Sequence, residues 1–166
     1  NEPASVALCG WGESSDGHHM SAPDPAGGGA RLSITQALRK AGIAASQIDY
    51  INLHGTATIQ NDAMESRVVH DIFGATTALS STKPFTGHTL GAAAAIEAAI
   101  CWLAMQDDNQ NGYFPPHLWD GVSDPTLPSL KVAEPGSSLG RPIQWALSNS
   151  FAFGGSNATL VFGRGV

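Results

Sequence analysis

Apolar residues along the chain fall into two kinds of segment, short continuous runs and longer stretches with helical spacing. The short runs are typical of strands and lie at residues 5–11, 48–54, 78–81, 145–151 and 158–162. Helical spacing predicts helices over residues 30–41 and 62–73, and Gly42 and Gly74 fit their ends. Because strands alternate with helices before a closing hairpin, the pattern predicts one α/β domain over residues 1–166. Its mixed five-stranded sheet would be flanked by helices.

Three further details concern where elements begin and end. Asp62, followed three residues later by Glu65, predicts the N-cap of the second helix. Residues 13–29 and 83–87 contain glycine and proline and predict loops. A shorter apolar pattern at residues 130–133 could form a further strand beyond these five.

The segment from residue 90 to residue 105 predicts another helix, and this helix has no polar face. Its sequence is LGAAAAIEAAICWLAM, in which Glu97 is the one charged residue. A helix that is apolar all round is normally buried all round. We therefore expect it to lie between two layers of structure, and a chain of 166 residues hardly supplies both.

Composition and charge narrow the class of protein. With 42% hydrophobic and 13% charged residues, the chain is too apolar for general disorder. A net charge of -6 and only 8 basic residues argue against a nucleic-acid surface, and no apolar run reaches the length of a membrane span. Two cysteines are too few for a disulfide scaffold and favour a cytoplasmic protein.

Three residues with chemical potential stand near the ends of predicted elements. His54 ends a strand, Lys83 follows another strand, and His88 precedes the apolar helix. Sites in open α/β sheets form outside the carboxyl ends of the strands. The positive end of the helix dipole would keep His88 neutral and able to donate a hydrogen bond to an enolate. Taken singly, a histidine or lysine in such a position is more often structural than functional.

The other histidines carry weaker signals. His18 and His19 are adjacent, but no carboxylate or third histidine accompanies them, so we predict a solvated pair and no metal site. His70 and His117 show only the pattern of surface residues.

Three segments carry a resemblance to a known family. They are HGTAT at residues 54–58, STKPFTGHTLG at residues 81–91 and SNSFAFGGSN at residues 148–157. In order and spacing they resemble signature segments of the β-ketoacyl-acyl carrier protein synthases. The likeness extends over the whole chain but corresponds only to the C-terminal part of such an enzyme. It implies a thiolase-type fold, in which two similar α/β halves enclose central helices such as the apolar one described above.

The resemblance also implies a reaction, the decarboxylative Claisen condensation of a malonyl thioester with an acyl group held on a cysteine. On that template His54 and His88 bind the malonyl thioester carbonyl and stabilise the enolate. Lys83 lies beside them, paired with Glu97.

The same resemblance implies further site residues and partners. Thr56 and Thr58 would hydrogen-bond a phosphopantetheine arm, and Phe153 would act as a gate whose backbone N–H contributes to the oxyanion hole. The implied partners are acyl carrier protein and the N-terminal half of the same synthase, in a homodimer or a synthase heterodimer. No cofactor is implied beyond the phosphopantetheine of the carrier protein.

Neither cysteine fits the nucleophile of such an enzyme, which lies in the N-terminal half at the start of a helix. Cys101 lies within the apolar helix and Cys9 within a predicted strand. We therefore expect the chain to be inactive alone. The alternative is a non-catalytic partner resembling a chain length factor, although the presence of His54, Lys83 and His88 favours the enzyme. A thiolase-like degradative enzyme is disfavoured, since no cysteine follows Cys101.

Overall fold

Six strands form one mixed sheet in the computed structural model, which describes residues 5–165. They are β1 (Val6–Ser15), β2 (Tyr50–Asn52), β3 (Ala78–Ser80), β4 (Lys131–Val132), β5 (Trp145–Ala152) and β6 (Ser156–Arg164). Their spatial order is β1-β6-β5-β2-β3-β4. Strands β2 to β5 run parallel to one another, while β6 lies antiparallel between β1 and β5.

Helices cover both faces of this sheet. They are α1 (Gly28–Ala41), α2 (Ile59–Phe73), the single turn α3 (Lys83–Thr86) and α4 (Ala93–Ala104). Successive strand residues point to opposite faces, so α1 and α2 pack with Ile51 and Leu147 while α4 packs with Tyr50 and Ala146. The prediction of an α/β domain with a mixed sheet and flanking helices is confirmed.

The structure corrects three expectations about the elements. The sheet has six strands rather than five, because the two-residue strand β4 pairs with β3 at the sheet edge. Helix α2 begins at Ile59 with Thr58 in the N-cap position, so Asp62 does not start it. Residues 83–87, expected to form a loop, contain α3. Strand β4 lies within the short apolar pattern at residues 130–133, which the count of five did not include. The single turn α3 holds too few residues for a periodic pattern to reveal it.

Helix α4 is buried on one side only within residues 5–165. Ala93, Glu97 and Cys101 are spaced by four residues and are all buried. Trp102 and Leu103 lie on another face of the helix and are 45% and 58% exposed. Residues 5–165 therefore supply one layer over this helix and not two, in line with the expectation that a chain of 166 residues hardly supplies both. No helix in the described part of the chain has both the length and the apolar character needed to cross a membrane.

Candidate active site

The candidate residues gather at the carboxyl edge of the parallel strands. His54 follows β2, Lys83 follows β3, and Phe153 follows β5. Because β3, β2 and β5 are neighbours and run parallel, these residues arrive at one edge of the sheet. His88, from the turn before α4, brings its ring edge-on to His54, with 5.4 Å between the ring centroids.

A cavity of about 420 Å³ opens at this edge. The predicted site residues that line it are His54, Thr56, Thr58, His88 and Phe153. The hydroxyls of Thr56 and Thr58 lie 2.9 Å apart. Much of the remaining wall is apolar and includes Leu90, Ala93, Ala94, Phe151 and Ala152. An apolar cavity with a few converging polar groups suits a ligand that has an apolar body and a few polar groups.

Lys83 and Glu97, the other two predicted site residues, lie behind His54 and do not line the cavity. Their side chains are only 6% and 1% exposed, and they form a buried salt bridge. The Lys83 Nζ also donates to the backbone oxygen of His54 and lies 3.5 Å from its Nδ1. An ammonium group beside Nδ1 favours the tautomer that carries its proton on Nε2. Lys83 therefore holds the backbone of His54 and favours one tautomer of its ring.

Both histidines are poised to be neutral. Burial lowers the pKa of His54 to about 3, helped by the charge of Lys83 and by His88. The pKa of His88 is also lowered, by partial burial and by Lys83. These causes differ from the helix dipole expected from the sequence, because α4 begins at Ala93 and a 3-10 turn lies between it and His88. A neutral imidazole offers one N–H donor to a ligand.

Glu97 depends on Lys83 for its charge. Burial raises the pKa of the Glu97 carboxyl, whereas the hydrogen bond and the charge of Lys83 lower it. Its second oxygen, Oε2, is buried without a hydrogen-bond partner among residues 5–165. A buried carboxylate with so few partners is stable only beside its countercharge. The pair therefore behaves as one unit, and the loss of either member leaves the other uncompensated.

Glu65 is a site residue that the sequence reasoning missed. Its carboxylate accepts hydrogen bonds from the backbone N–H groups of His54 and Gly55, at 2.9 and 2.8 Å. Side-chain amides of Asn61 and Asn149 also donate to it, at 3.3 Å each. The sequence pattern assigned Glu65 to a helix cap, whereas it is 2% exposed and holds the segment that carries His54. Its helical spacing from Val68 and Val69, which places it on the apolar face of α2, was the sequence signal that could have revealed this.

Backbone strain is concentrated in the segments that carry the two histidines. Ala57 and Leu90 are the non-glycine residues with positive φ in the described chain, at 60° and 52°. Ala57 lies three residues after His54 and Leu90 two residues after His88. Such conformations cost about 1–3 kcal/mol each and persist only where surrounding structure enforces them. They commonly mark sites where side-chain geometry is fixed for function.

The turn between β5 and β6 carries Phe153 and is tied to the loop that follows β1. Phe153 is 65% exposed. The Gly154 N–H donates to the backbone oxygen of Met20, and the Asp16 N–H donates to that of Gly155, at 2.9 and 2.8 Å. Two loops from distant parts of the sequence therefore form one rim of the cavity.

Neither cysteine has the environment of a nucleophile. Cys101 is fully buried in α4, and burial raises the pKa of its thiol, assisted by the charge of Glu97. Cys9 lies at a bulge in the edge strand β1. The described residues contain no cluster of three or more potential metal ligands. His117, expected at the surface, is half-buried, and its Nδ1 accepts the backbone N–H of Ser81 at 2.9 Å.

Comparisons with known proteins identify the family of this chain. Residues 6–118 match the family described as β-ketoacyl synthase, C-terminal domain. The chain is 41% identical over 164 residues to the mitochondrial 3-oxoacyl-[acyl-carrier-protein] synthase of Arabidopsis thaliana, covering 93% of this chain and 34% of that protein. It is 40% identical to 3-oxoacyl-[acyl-carrier-protein] synthase 2 of Coxiella burnetii, covering 95% of this chain and 37% of the relative.

A solved structure shows the same fold. The chain superposes with a TM-score of 0.86 and 48% identity on one chain of the complex between a ketosynthase (ApeO) and its chain length factor (ApeC) from Xenorhabdus doucetiae. The match covers 98% of this chain and 40% of the other. The fold is thus that of the thiolase-like ketosynthases, as the three sequence segments predicted. The chain belongs to the β-ketoacyl synthase family, matches its C-terminal domain, and spans 34% to 40% of the length of these relatives.

Proposed function

We propose that the chain is the C-terminal part of a 3-oxoacyl-[acyl-carrier-protein] synthase and carries the decarboxylation site of that enzyme. The reaction is the condensation of malonyl-acyl carrier protein with an enzyme-bound acyl group, in the synthesis of fatty acids or related acyl chains. The observation that carries this proposal is the pair of neutral histidines, His54 and His88. Their ring centroids are 5.4 Å apart, and both rings line one apolar cavity. No cofactor is needed in this scheme beyond the phosphopantetheine that carries the substrate.

In the proposed reaction the malonyl thioester oxygen accepts hydrogen bonds from His54 and His88. Loss of carbon dioxide leaves the electron pair of the broken C–C bond on the α-carbon, as an enolate whose charge rests on that oxygen. The α-carbon then attacks the acyl thioester carbonyl and expels the enzyme thiolate. Neutral donors suit the enolate because they stabilise its charge without protonating the substrate first.

The other site residues have supporting roles in this proposal. Lys83 and Glu97 act as positioning residues that hold His54, because neither lines the cavity. Thr56 and Thr58 present hydroxyls to the phosphopantetheine arm, and the exposed Phe153 gates the cavity, with its backbone N–H in the oxyanion hole.

The thiolate and the second layer over α4 would come from the N-terminal half of the same synthase. The exposed apolar face of α4 and the inert environment of Cys101 support that dependence, and with it the inactivity of this chain alone. Acyl carrier protein is the proposed substrate carrier, and a homodimer or synthase heterodimer the proposed assembly. The free thiols of Cys9 and Cys101 support a cytoplasmic location, where thiols stay reduced.

A non-catalytic partner resembling a chain length factor is the second candidate. The observation in favour of this second candidate is the similarity to a chain from a ketosynthase–chain length factor complex. The fully assembled group of His54, Lys83, Glu97 and His88 favours the enzyme, because a subunit that only shapes a pocket has no use for two neutral donors and a buried salt bridge behind them.

The test is the rate of malonyl-acyl carrier protein decarboxylation by the complete synthase. We expect His54→Ala and His88→Ala each to lower that rate by about 10²–10³, as removal of an oxyanion-hole donor does. Acyl transfer to the nucleophile should be retained. His70→Ala, on the far end of α2, is the matched control. Normal decarboxylation by both site variants would contradict the proposal and favour the non-catalytic partner.

A further inference from the structure

His117 reaches the end of β3 from a distant part of the chain. It lies in the extended segment that follows α4, and its own backbone N–H donates to the Ala133 oxygen at 2.8 Å. Its ring meets the ring of Trp119 edge-on, with 6.0 Å between centroids. Held in this way, the Nδ1 atom accepts the backbone N–H of Ser81 at 2.9 Å. The backbone hydrogen bond to Ala133 and the contact with Trp119 therefore hold the His117 ring in place beside Ser81.

Ser81 is the joint between the segments that carry His54 and Lys83. Its hydroxyl donates to the backbone oxygen of Gly55 at 2.7 Å and accepts the backbone N–H of Lys83 at 3.4 Å. A Cβ on Gly55 would come within 2.6 Å of the Ser81 Cβ, so the two backbones are in close contact. Ser81 is 2% exposed, so its N–H has little access to water as a replacement partner. A shift of Ser81 therefore moves both Gly55 and Lys83.

We propose that His117 is a positioning residue for the decarboxylation site, acting through Ser81 on His54 and Lys83. This inference rests on the proposed function. Among residues 5–165 the Ser81 N–H has a single acceptor, and that acceptor is an imidazole nitrogen from outside the segments that line the cavity. An acceptor at Nδ1 requires an unprotonated nitrogen there, and burial, which lowers the pKa of His117, agrees with a neutral ring.

The proposal separates two properties of His117, its acceptor atom and its ring. Asparagine offers an oxygen the same number of bonds from Cβ as Nδ1, so His117→Asn retains an acceptor and loses the ring. His117→Phe retains a ring against Trp119 and loses the acceptor. We expect His117→Phe to lower kcat for malonyl-acyl carrier protein decarboxylation by the complete synthase about tenfold. A misplacement of about 1 Å in an active site can lower a rate about 10²-fold, and we expect a smaller shift of His54 and Lys83. The KM should change little, because His117 does not line the cavity.

The rescue by asparagine is the deciding comparison. His117→Asn should decarboxylate within about threefold of the wild type, since a retained hydrogen bond keeps the geometry. His70→Phe, a half-exposed histidine on α2, controls for the substitution itself. Equal rates for wild type and His117→Phe would overturn the proposal. So would an asparagine variant as slow as the phenylalanine variant, because the acceptor would then be irrelevant.

A second measurement keeps this inference apart from the proposed function. Amide hydrogen exchange of the peptide containing residues 79–85, measured by mass spectrometry, should be faster in His117→Phe than in the wild type or His117→Asn. If the wild-type synthase does not decarboxylate malonyl-acyl carrier protein, the proposed function fails, and this exchange pattern still decides whether His117 anchors Ser81. Identical exchange in the three proteins would overturn the anchoring itself.

Discussion

Each oxygen of Glu65 accepts two hydrogen bonds, and only an ionised carboxylate can do this. Oε1 accepts from His54 and Asn149, and Oε2 from Gly55 and Asn61. Burial raises the pKa of Glu65, while the donors from Gly55 and His54 lower it. A carboxylate is acceptor-only, whereas an amide would turn an NH₂ group toward donors. The charge of Glu65 is therefore part of the scaffold that holds His54.

Glu65→Gln should destabilise the chain and loosen the site. One amide end would face donors and leave them unpaired in a buried place, which costs about 1–3 kcal/mol of unfolding free energy. Urea unfolding followed by tryptophan fluorescence at submicromolar concentration measures the change. Glu13→Gln, at an exposed position, should differ from the wild type by less than about 0.5 kcal/mol. A Glu65 variant as stable as this control would show that the four donors find other partners.

His54 should remain neutral far below the pH at which free histidine titrates. Its pKa in the folded chain is about 3, against an ordinary value of 6.5. Between these two values the unfolded chain binds a proton that the folded chain does not. The contribution of His54 to stability is thus fully present above pH 6.5 and is lost as the pH falls toward 3. Its largest slope is about 1.4 kcal/mol of unfolding free energy per pH unit.

Nitrogen NMR of the histidine-labelled chain measures this directly. We expect one ring to show neutral-imidazole shifts at pH 5 and to lose them only at much lower pH. His54→Gln should remove that signal and assign it. Protonation of the His54 ring near pH 6.5 would contradict a buried environment beside the charge of Lys83.

At the scale of elements, the turn from β5 to β6 depends on two glycines with different tasks. Gly154 and Gly155 both have positive φ, 73° and 74°. A Cβ on Gly154 would meet nothing within 4 Å, whereas a Cβ on Gly155 would lie 2.5 Å from the Cβ of Asp16. Gly154 is needed only for its backbone conformation. Gly155 is needed for the same reason and also because its turn approaches Asp16 in the loop after β1 closely.

The two alanine variants therefore form a matched pair. Gly154→Ala should cost about 1–2 kcal/mol of unfolding free energy, the strain of a left-handed alanine. Gly155→Ala should cost more, because Asp16 must also move and its bond from the Asn157 amide, 2.7 Å long, would be disturbed. Urea unfolding of both variants gives the comparison. Equal losses would mean that the junction with Asp16 adjusts freely.

Local signals account for what the sequence revealed of these elements. Gly42 and Gly74 end α1 and α2 as predicted, because both adopt the positive φ that other residues avoid. The short apolar pattern at residues 130–133 contains β4, but it was not counted among the five strands, because its pairing with β3 depends on a partner more than fifty residues away. The role of Glu65 in the site was not predicted for the same reason, because its hydrogen bond from Asn149 spans 84 residues and leaves no local pattern in the sequence. His54, Lys83 and His88 were found through family segments, and their meeting in space required the sheet.

At the scale of the whole molecule, the two faces of the sheet differ in how completely they are buried. Helices α1 and α2 cover one face, and the cluster there includes Ile34, Val68 and Leu147, all nearly inaccessible. On the other face α4 shields the sheet but is itself covered by nothing within residues 5–165. Ala95, Ala99, Trp102 and Leu103 share one exposed side of this helix. Exposed apolar faces of this kind commonly mark interaction surfaces, and we expect another layer of structure to cover this one.

The isolated chain should therefore associate at tens of micromolar, and this association should depend on α4. Sedimentation velocity and binding of a hydrophobic dye measure it. Leu103→Lys, which places a charge on the exposed side of α4 without touching its buried residues, should reduce both self-association and dye binding. Val122→Lys is the matched control, because Val122 is 73% exposed but lies in the segment after α4, away from that helix face. A wild-type chain that stays monomeric without binding dye would contradict the need for a second layer. Association reduced equally by both lysine variants would show that net charge, and not the face of α4, governs it.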